Sequence, residues 1–175
     1  PPVPKYPEHK RVRVGYFSAD FREHPVSDLV VGLFEEHDRS QFEVYAFYFG
    51  PKTNDKMNLR IKKGVDKYYD VGRISDVGVA KLARIHELDI AIDLGGYTAS
   101  SRTKIFAMSV APVQASYLGF TGTMGSKYID YIIADQLVVP KGSQKYYTEN
   151  IAYLPNSYMI NESNIKASKK SPRRK

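Results

Sequence analysis

Stretches rich in β-branched and aromatic residues alternate along this chain with stretches whose apolar residues recur every three or four positions. Residues 11–19 (RVRVGYFSA) have the composition of a strand, and the apolar residues of 26–34 follow at helical spacing. A strand followed by a helix, repeated along a chain, is typical of parallel strands joined by crossover helices. The pattern therefore predicts an α/β domain.

The same alternation continues through the rest of the chain. Six more strands are predicted at residues 42–49, 67–71, 89–94, 113–118, 131–134 and 151–154. Further helices are predicted at residues 55–63, 76–86 with Ser75 as N-cap, 103–109 and 143–147. Seven strands with intervening helices predict one Rossmann-like, doubly wound and mostly parallel sheet.

Three loops directly follow predicted strands, at residues 18–25, 95–102 and 119–126. In doubly wound sheets ligands bind beyond the carboxyl ends of the strands, where helix N-termini present free N–H groups. These three loops are therefore where we expect a binding site.

The first loop carries His24 directly before Pro25, a residue that suits the opening turn of a helix. The helix dipole disfavours the positive form of a histidine at that position, which favours a neutral imidazole that acts as a hydrogen-bond partner or as a base. A capping or surface histidine fits the same position. The residues alone leave both interpretations open.

The second loop contains Gly95, Gly96, Tyr97 and Thr98, and Arg102 follows a few residues later. Glycines allow a ligand to approach the backbone, and arginine offers a two-pronged donor for a phosphate or carboxylate. The alternative is a left-handed turn whose arginine pairs with Asp89, with Asp93 or with a helix end. The loop lacks the G-x-G-x-x-G dinucleotide fingerprint.

The third loop places Gly119, Gly122 and Gly125 at every third position, with Thr121 and Thr123 between them. Successive N–H groups in such a loop can form a nest for an anion. The loop is not a Walker loop, because no Gly-Lys-Ser/Thr sequence ends it. A simple flexible loop that covers the core is the alternative.

The composition narrows the possible chemistry. The chain has no cysteine, which excludes disulfides, thiolate nucleophiles and cysteine metal sites. Of the other histidines, His37 and His86 fall at predicted helix ends, where a cation would offset the dipole, and His9 falls in a proline-rich segment. None has a partner at metal-ligand spacing, so we predict no metal site.

The net charge of +7 is concentrated after Glu162, where six basic residues leave only +1 on residues 1–165. We predict a proline-rich linker at residues 1–10, a folded domain at 11–160 and a basic tail at 161–175. The folded part is not expected to bind nucleic acid, although the tail could. No apolar segment resembles a signal peptide or membrane span, so a cytoplasmic protein without a membrane partner is expected.

Five motifs, taken in order, resemble the N-terminal half of the catalytic region of the protein O-GlcNAc transferase family. This family, glycosyltransferase family 41, includes the SPINDLY-type enzymes. The motifs occupy residues 13–25, 93–102, 111–123, 130–135 and 153–158, and the resemblance covers about residues 10–160.

The resemblance implies a GT-B arrangement, in which two Rossmann-like domains face each other across a cleft, usually after tetratricopeptide repeats. This chain would be the first of the two domains. The proline-rich start would leave the repeats, and the basic tail would lead toward a missing C-terminal half that holds most nucleotide contacts. The isolated half is expected to be inactive.

The resemblance also implies a reaction, the inverting transfer of a sugar, most often GlcNAc, from UDP-GlcNAc to a Ser or Thr hydroxyl of a protein, with no cofactor or metal. His24 matches the family's active-site histidine, as a base or as a positioning group. Tyr97, Thr98 and Arg102 would line or support the cleft. The expected donor-sugar contacts are Leu118, Gly119, Phe120, Thr121, Gly122 and Thr123.

The chain departs from the animal members of the family at three of these places. Thr121 replaces a proline and Met124 replaces a serine in the third loop, the glycine loop of residues 119–126. Asp89 lies near the position of a second cleft histidine. A noncatalytic ligand-binding or protein-interaction domain with the same fold is the alternative function.

Overall fold

The computed structural model describes residues 2–161. Its strands are β1 (Val12–Ser18), β2 (Phe42–Tyr48), β3 (Lys67–Asp70), β4 (Ile90–Asp93), β5 (Val113–Tyr117), β6 (Tyr131–Ala134) and β7 (Asn150–Tyr153). Its α-helices are α1 (Pro25–Glu36), α2 (Lys56–Gly64) and α3 (Asp76–Ile85). Two 3₁₀ helices lie at Thr103–Met108 and Ser143–Tyr146.

The seven strands form one sheet in the order β3-β2-β1-β4-β5-β6-β7, and every neighbouring pair is parallel. The chain moves outward from β1 to β3, then returns to the other side of β1 as β4. The strand order therefore reverses between β1 and β4, where Phe17 is paired with Asp93. In sheets of this type a crevice opens at the carboxyl end of that reversal.

Helices cover both faces of the sheet, because successive strand residues point to opposite sides. Phe17 and Phe47 stack in parallel, with ring centroids 4.5 Å apart, on the face that α3 and the first 3₁₀ helix cover. On the other face Tyr16 packs edge-on against Phe34 of α1. Ser75 caps α3 by accepting a hydrogen bond from the Gly78 N–H, as predicted.

The predicted helices at 103–109 and 143–147 are both 3₁₀ rather than α-helical. The first ends at Ser109, whose left-handed φ of 52° stops the turn. Between β5 and β6 the connection contains no helix at all. Its buried side chains, including Met124 and Ile129, fill the core in place of a helix.

Residues 2–10 contain no helix or strand, yet His9 is anchored to the body of the domain. Its side chain is 8% exposed, with Nδ1 3.0 Å from Asp89 Oδ2 and Nε2 3.0 Å from Glu87 Oε2. The carboxylates of Asp89 and then of Glu87 accept hydrogen bonds from the His9 ring and raise the pKa of His9. Asp89 directly precedes β4, so it lies at the opposite edge of the sheet from the three loops where we expect a binding site.

The two helix-end histidines do not behave as the cations that their positions predict. Burial is the main cause that lowers the pKa of both His37 and His86. His37 Nε2 lies 2.8 Å from the Tyr16 hydroxyl, which is consistent with a neutral ring. Side-chain packing therefore outweighs the helix dipole at both positions.

Candidate functional site

A cavity of about 330 Å³ opens at the carboxyl ends of β1 and β4, where the strand order reverses. The three loops singled out in the sequence meet there. Its lining consists of Asp20, Arg22, His24, Val26, Leu94, Thr98, Ala99, Ser100 and Gly119.

His24 is the N-cap of α1, as the capping interpretation predicts, and its side chain also lines this cavity. Its Nδ1 accepts a hydrogen bond from the Val26 N–H at 3.2 Å. A neutral imidazole that accepts at Nδ1 carries its proton on Nε2. Nε2 lies 3.6 Å from Asp20 Oδ1. In this geometry the imidazole offers the cavity an N–H donor rather than a free base.

Asp20 and Arg22 line the cavity next to His24. Asp20 Oδ1 accepts a hydrogen bond from Arg22 Nη2 at 3.3 Å, and the Asp20 backbone carbonyl accepts one from Ser27 Oγ. Arg22 Nε is buried and has no hydrogen-bond partner within residues 2–161. Asp20 and Arg22 both fall within the first motif, residues 13–25, but neither was predicted from the sequence as a site residue. The signal that could have found both is their place in a loop that follows a strand.

Asp93 shapes the second loop from beneath. It is 3% exposed, and its Oδ1 accepts hydrogen bonds from the N–H groups of Gly95 at 2.9 Å and Gly96 at 3.1 Å. Burial raises the pKa of Asp93, and the two N–H groups oppose that effect. The turn that results places Gly96 at a φ of +56° and directs Thr98 Oγ1 to the Gly95 carbonyl at 2.9 Å.

Arg102 points away from the cavity to the first turn of α3. Its Nε lies 2.7 Å from Asp76 Oδ1, and its Nη atoms donate to the carbonyls of Val71 and Ile74. Of the alternatives left open by the sequence, pairing with a helix end is the one observed. Arg102 therefore supports the loop from outside the lining.

The second and third loops are packed directly against each other. A Cβ atom added to Gly119 would lie 2.2 Å from the Leu94 carbonyl oxygen, and one added to Gly96 would lie 2.5 Å from Phe120 Cβ. Tyr97 meets Phe120 edge-on at 5.6 Å. Glycine is needed at both positions, because the Leu94 backbone at Gly119 and the Phe120 side chain at Gly96 already occupy the space that a Cβ atom would take.

Leu118, directly before the third loop, has a φ of +71°, which is rare for a residue other than glycine. Beyond it, the Tyr97 hydroxyl donates to the Met124 carbonyl at 2.8 Å. The Met124 side chain is 2% exposed and lies in the core. The Met124 side chain, which replaces the serine of the animal members, therefore does not line the cavity.

Thr123 connects the third loop to the segment before β7. Its Oγ1 donates to Glu149 Oε2 at 2.7 Å, and the Met124 N–H donates to Glu149 Oε1 at 2.7 Å. Thr123 Oγ1 also accepts hydrogen bonds from the N–H groups of Gly125 and Thr148. The end of the loop at Thr123 and Met124 therefore donates to a carboxylate of the same chain, Glu149.

The near end of the loop keeps its donors available. Within residues 2–161 the backbone N–H groups of residues 120–123 make no hydrogen bond. Thr121 is exposed, and its carbonyl accepts a hydrogen bond from the Tyr147 hydroxyl at 2.9 Å. This bond fixes the backbone at Thr121 but does not use the Thr121 N–H. Four successive free donors fit the predicted nest.

Residues 2–161 contain neither a metal-binding cluster nor a helix that could span a membrane. No group of three or more His, Cys, Asp or Glu side chains there is placed to hold a metal ion. None of the helices in that range is long and apolar enough to cross a bilayer.

Comparison with known proteins identifies the family. The profile described as glycosyl transferase family 41 matches residues 3–168. The chain belongs to glycosyl transferase family 41.

Among similar proteins, the probable UDP-N-acetylglucosamine-peptide N-acetylglucosaminyltransferase SEC of Arabidopsis thaliana is 38% identical over 161 residues, which are 92% of this chain and 16% of that protein. A UDP-N-acetylglucosamine-peptide N-acetylglucosaminyltransferase of Caenorhabditis elegans is 36% identical, over 87% of this chain and 13% of its own length.

A solved structure supports the fold. The chain is similar to a mutant of the Thermobaculum terrenum O-GlcNAc transferase, with a TM-score of 0.85, 34% sequence identity, and coverage of 90% of this chain and 31% of that one. The predicted resemblance and the predicted α/β class are therefore confirmed. This family 41 chain spans 16% of the length of the first of the curated relatives named above and 13% of the length of the second.

Proposed function

We propose that this chain is the acceptor-side half of the catalytic region of an inverting protein O-glycosyltransferase. It would act in the transfer of GlcNAc from UDP-GlcNAc to Ser or Thr residues of proteins. The names of its relatives support this donor and a peptide acceptor. The observation that carries the proposal is the cavity at the β1/β4 reversal, where His24, Arg22 and the glycine loop converge.

The proposal that this chain is only half of the catalytic region rests on how little of the solved structure's chain it covers. Because this chain corresponds to 31% of the Thermobaculum terrenum chain, the rest of the catalytic machinery would lie on further segments of the complete protein. A second Rossmann-like domain would supply most nucleotide contacts, and repeats would present the protein acceptor. The cytoplasm is the compartment we propose for this reaction.

The reaction needs a proton acceptor for the attacking hydroxyl and donors for the leaving diphosphate. The donors in or beside the cavity are the His24 Nε2–H, the Arg22 guanidinium and the free N–H groups of residues 120–123. The Asp20 carboxylate is the group in the lining that can accept a proton without first breaking the His24 cap. His24 would accordingly position an oxygen of a substrate by hydrogen bonding.

A donor panel tests the proposal on the full-length protein. UDP-GlcNAc and other nucleotide sugars are incubated with protein acceptors, and sugar on Ser or Thr is detected by mass spectrometry. We expect transfer from UDP-GlcNAc and inversion at the anomeric carbon. Nucleotide-sugar binding without transfer from any donor would favour the noncatalytic alternative and overturn the enzyme assignment.

A further inference from the structure

Glu149 is a buried carboxylate with no cationic partner. It lies directly before β7, is 1% exposed, and forms no salt bridge within residues 2–161. A buried charge is costly unless hydrogen bonds satisfy it. Those that satisfy Glu149 come from the glycine loop, about 25 residues earlier in the chain.

The two oxygens of Glu149 contact the two consecutive residues at which the loop turns into the core. Oε1 accepts from the Met124 N–H and Oε2 accepts from the Thr123 hydroxyl, both at 2.7 Å. Hydrogen bonds to an ionised acceptor are shorter and stronger than neutral ones. Glu149 therefore fixes the loop end that immediately follows the free N–H groups of residues 120–123.

The Thr123 hydroxyl donates its proton to Glu149 and accepts hydrogen bonds from other groups. Thr123 Oγ1 already accepts from the N–H groups of Gly125 at 3.0 Å and Thr148 at 3.2 Å. Thr123 Oγ1 also lies 3.2 Å from Thr148 Oγ1, but the shorter contact, at 2.7 Å, is to the Glu149 carboxylate, which can only accept, so the Thr123 proton points to Glu149. A glutamine at position 149 would either place its NH₂ group against an oxygen with no lone pair left, or place it against the Met124 N–H.

We propose that Glu149 is a positioning residue that holds the loop of residues 119–126 in the shape that presents its free N–H groups to the nucleotide-sugar donor. The inference rests on the proposed function, since it assigns the loop a place in donor binding. Glu149 acts through Thr123 and Met124 and does not contact the substrate.

Glu149→Gln gives a test in which the sign of the effect is informative. If Glu149 acted on the diphosphate only through its negative charge, removing that charge would lower the donor KM. If it positions the loop, the isosteric amide disturbs the loop and raises the donor KM. We expect a rise of about tenfold or more, the scale of one lost hydrogen bond to a buried charged group, with the acceptor KM unchanged.

The measurement uses the full-length protein, with kcat and KM determined separately for UDP-GlcNAc and for the acceptor. Glu35→Gln is the matched control, because Glu35 is an exposed carboxylate on α1 that pairs with Arg60. It should leave both KM values unchanged. A folded Glu149→Gln protein with a donor KM at or below that of wild type overturns the proposal.

Thr123→Val provides a second route if Glu149→Gln fails to fold. It removes the hydroxyl with little change of shape and should raise the donor KM in the same direction. If the two residues act as one unit, the double variant will be no worse than the more affected single variant. Additive effects of the two substitutions would contradict the proposal.

Amide hydrogen exchange separates this inference from the proposed function. Exchange at the Met124 and Gly125 amides should speed up about tenfold or more in Glu149→Gln and not in Glu35→Gln. If the wild-type protein transfers no sugar, the proposed function fails, while exchange still decides whether Glu149 holds the loop. Unchanged exchange at both amides would overturn the inference by itself.

Discussion

His24 Nδ1 accepts a hydrogen bond from the Val26 N–H at 3.2 Å, so one imidazole both caps α1 and presents its Nε2–H to the cavity. Two roles in one side chain can be separated by substitution. Asparagine is a good N-cap but has no donor where Nε2 lies, whereas alanine provides neither function.

His24→Ala in the full-length protein should lower transfer by about tenfold or more, because the substrate oxygen loses the hydrogen bond from the His24 Nε2–H. The lost cap should also cost about 1 kcal/mol of unfolding free energy. His24→Asn should recover the stability while transfer stays low. Initial rates and urea unfolding of both variants are the measurements. Wild-type turnover in folded His24→Ala protein, or transfer restored by asparagine, would refute a cavity role for His24.

Asp93→Ala should destabilise the domain by about 1–3 kcal/mol, because the buried N–H groups of Gly95 and Gly96 lose their shared acceptor. Asp93→Asn keeps an acceptor oxygen and removes the charge whose burial raises the pKa of Asp93. A raised folded pKa means that ionisation near neutral pH costs stability, so asparagine should unfold at or above the wild-type midpoint. Equal unfolding midpoints for the alanine and asparagine variants would show that the acceptor is unimportant.

Gly119→Ala and Gly125→Ala form a matched pair in the glycine loop. The new methyl at 119 would collide with the Leu94 carbonyl oxygen, and overpacking of this kind costs about 1–3 kcal/mol. At Gly125 nothing lies within 4 Å, so only the φ of +59° opposes alanine, at about 1 kcal/mol. We expect Gly119→Ala to show the greater loss of stability and donor binding in thermal unfolding and calorimetry. The reverse order would show that the contact between the two loops has little importance.

The His9 anchor should depend on pH. Asp89 and Glu87 raise the pKa of His9, while burial and Arg13 lower it. The net rise means that the protonated form of His9 binds the two carboxylates more strongly than the neutral form does. Its contribution to stability should be complete below the unfolded pKa of about 6.5 and should be lost as the pH rises through the folded value. The stability difference between wild type and His9→Gln should therefore shrink from acid to alkaline pH in a series of urea titrations. A difference that is constant across the series would exclude titration of His9 as the cause.

The helices and strands were predictable because their signals are local. Alternation in strands and three-to-four spacing in helices arise from neighbouring residues, and each predicted strand ends within one residue of the observed one. The 3₁₀ form of Thr103–Met108 was missed because a short apolar segment does not distinguish the two helix types. The His24 cap was also foreseeable, since its partner is two residues away.

The sequence by itself determined the strand and helix order, the three loops and the resemblance that family 41 membership confirms. Only the tertiary structure decided which side chains meet. Arg102 pairs with Asp76 and Thr123 with Glu149, each 26 residues apart, and His9 reaches Asp89 across 80 residues. No local pattern specifies such partners, because they come together only when the order of strands in the sheet brings distant loops to the same edge.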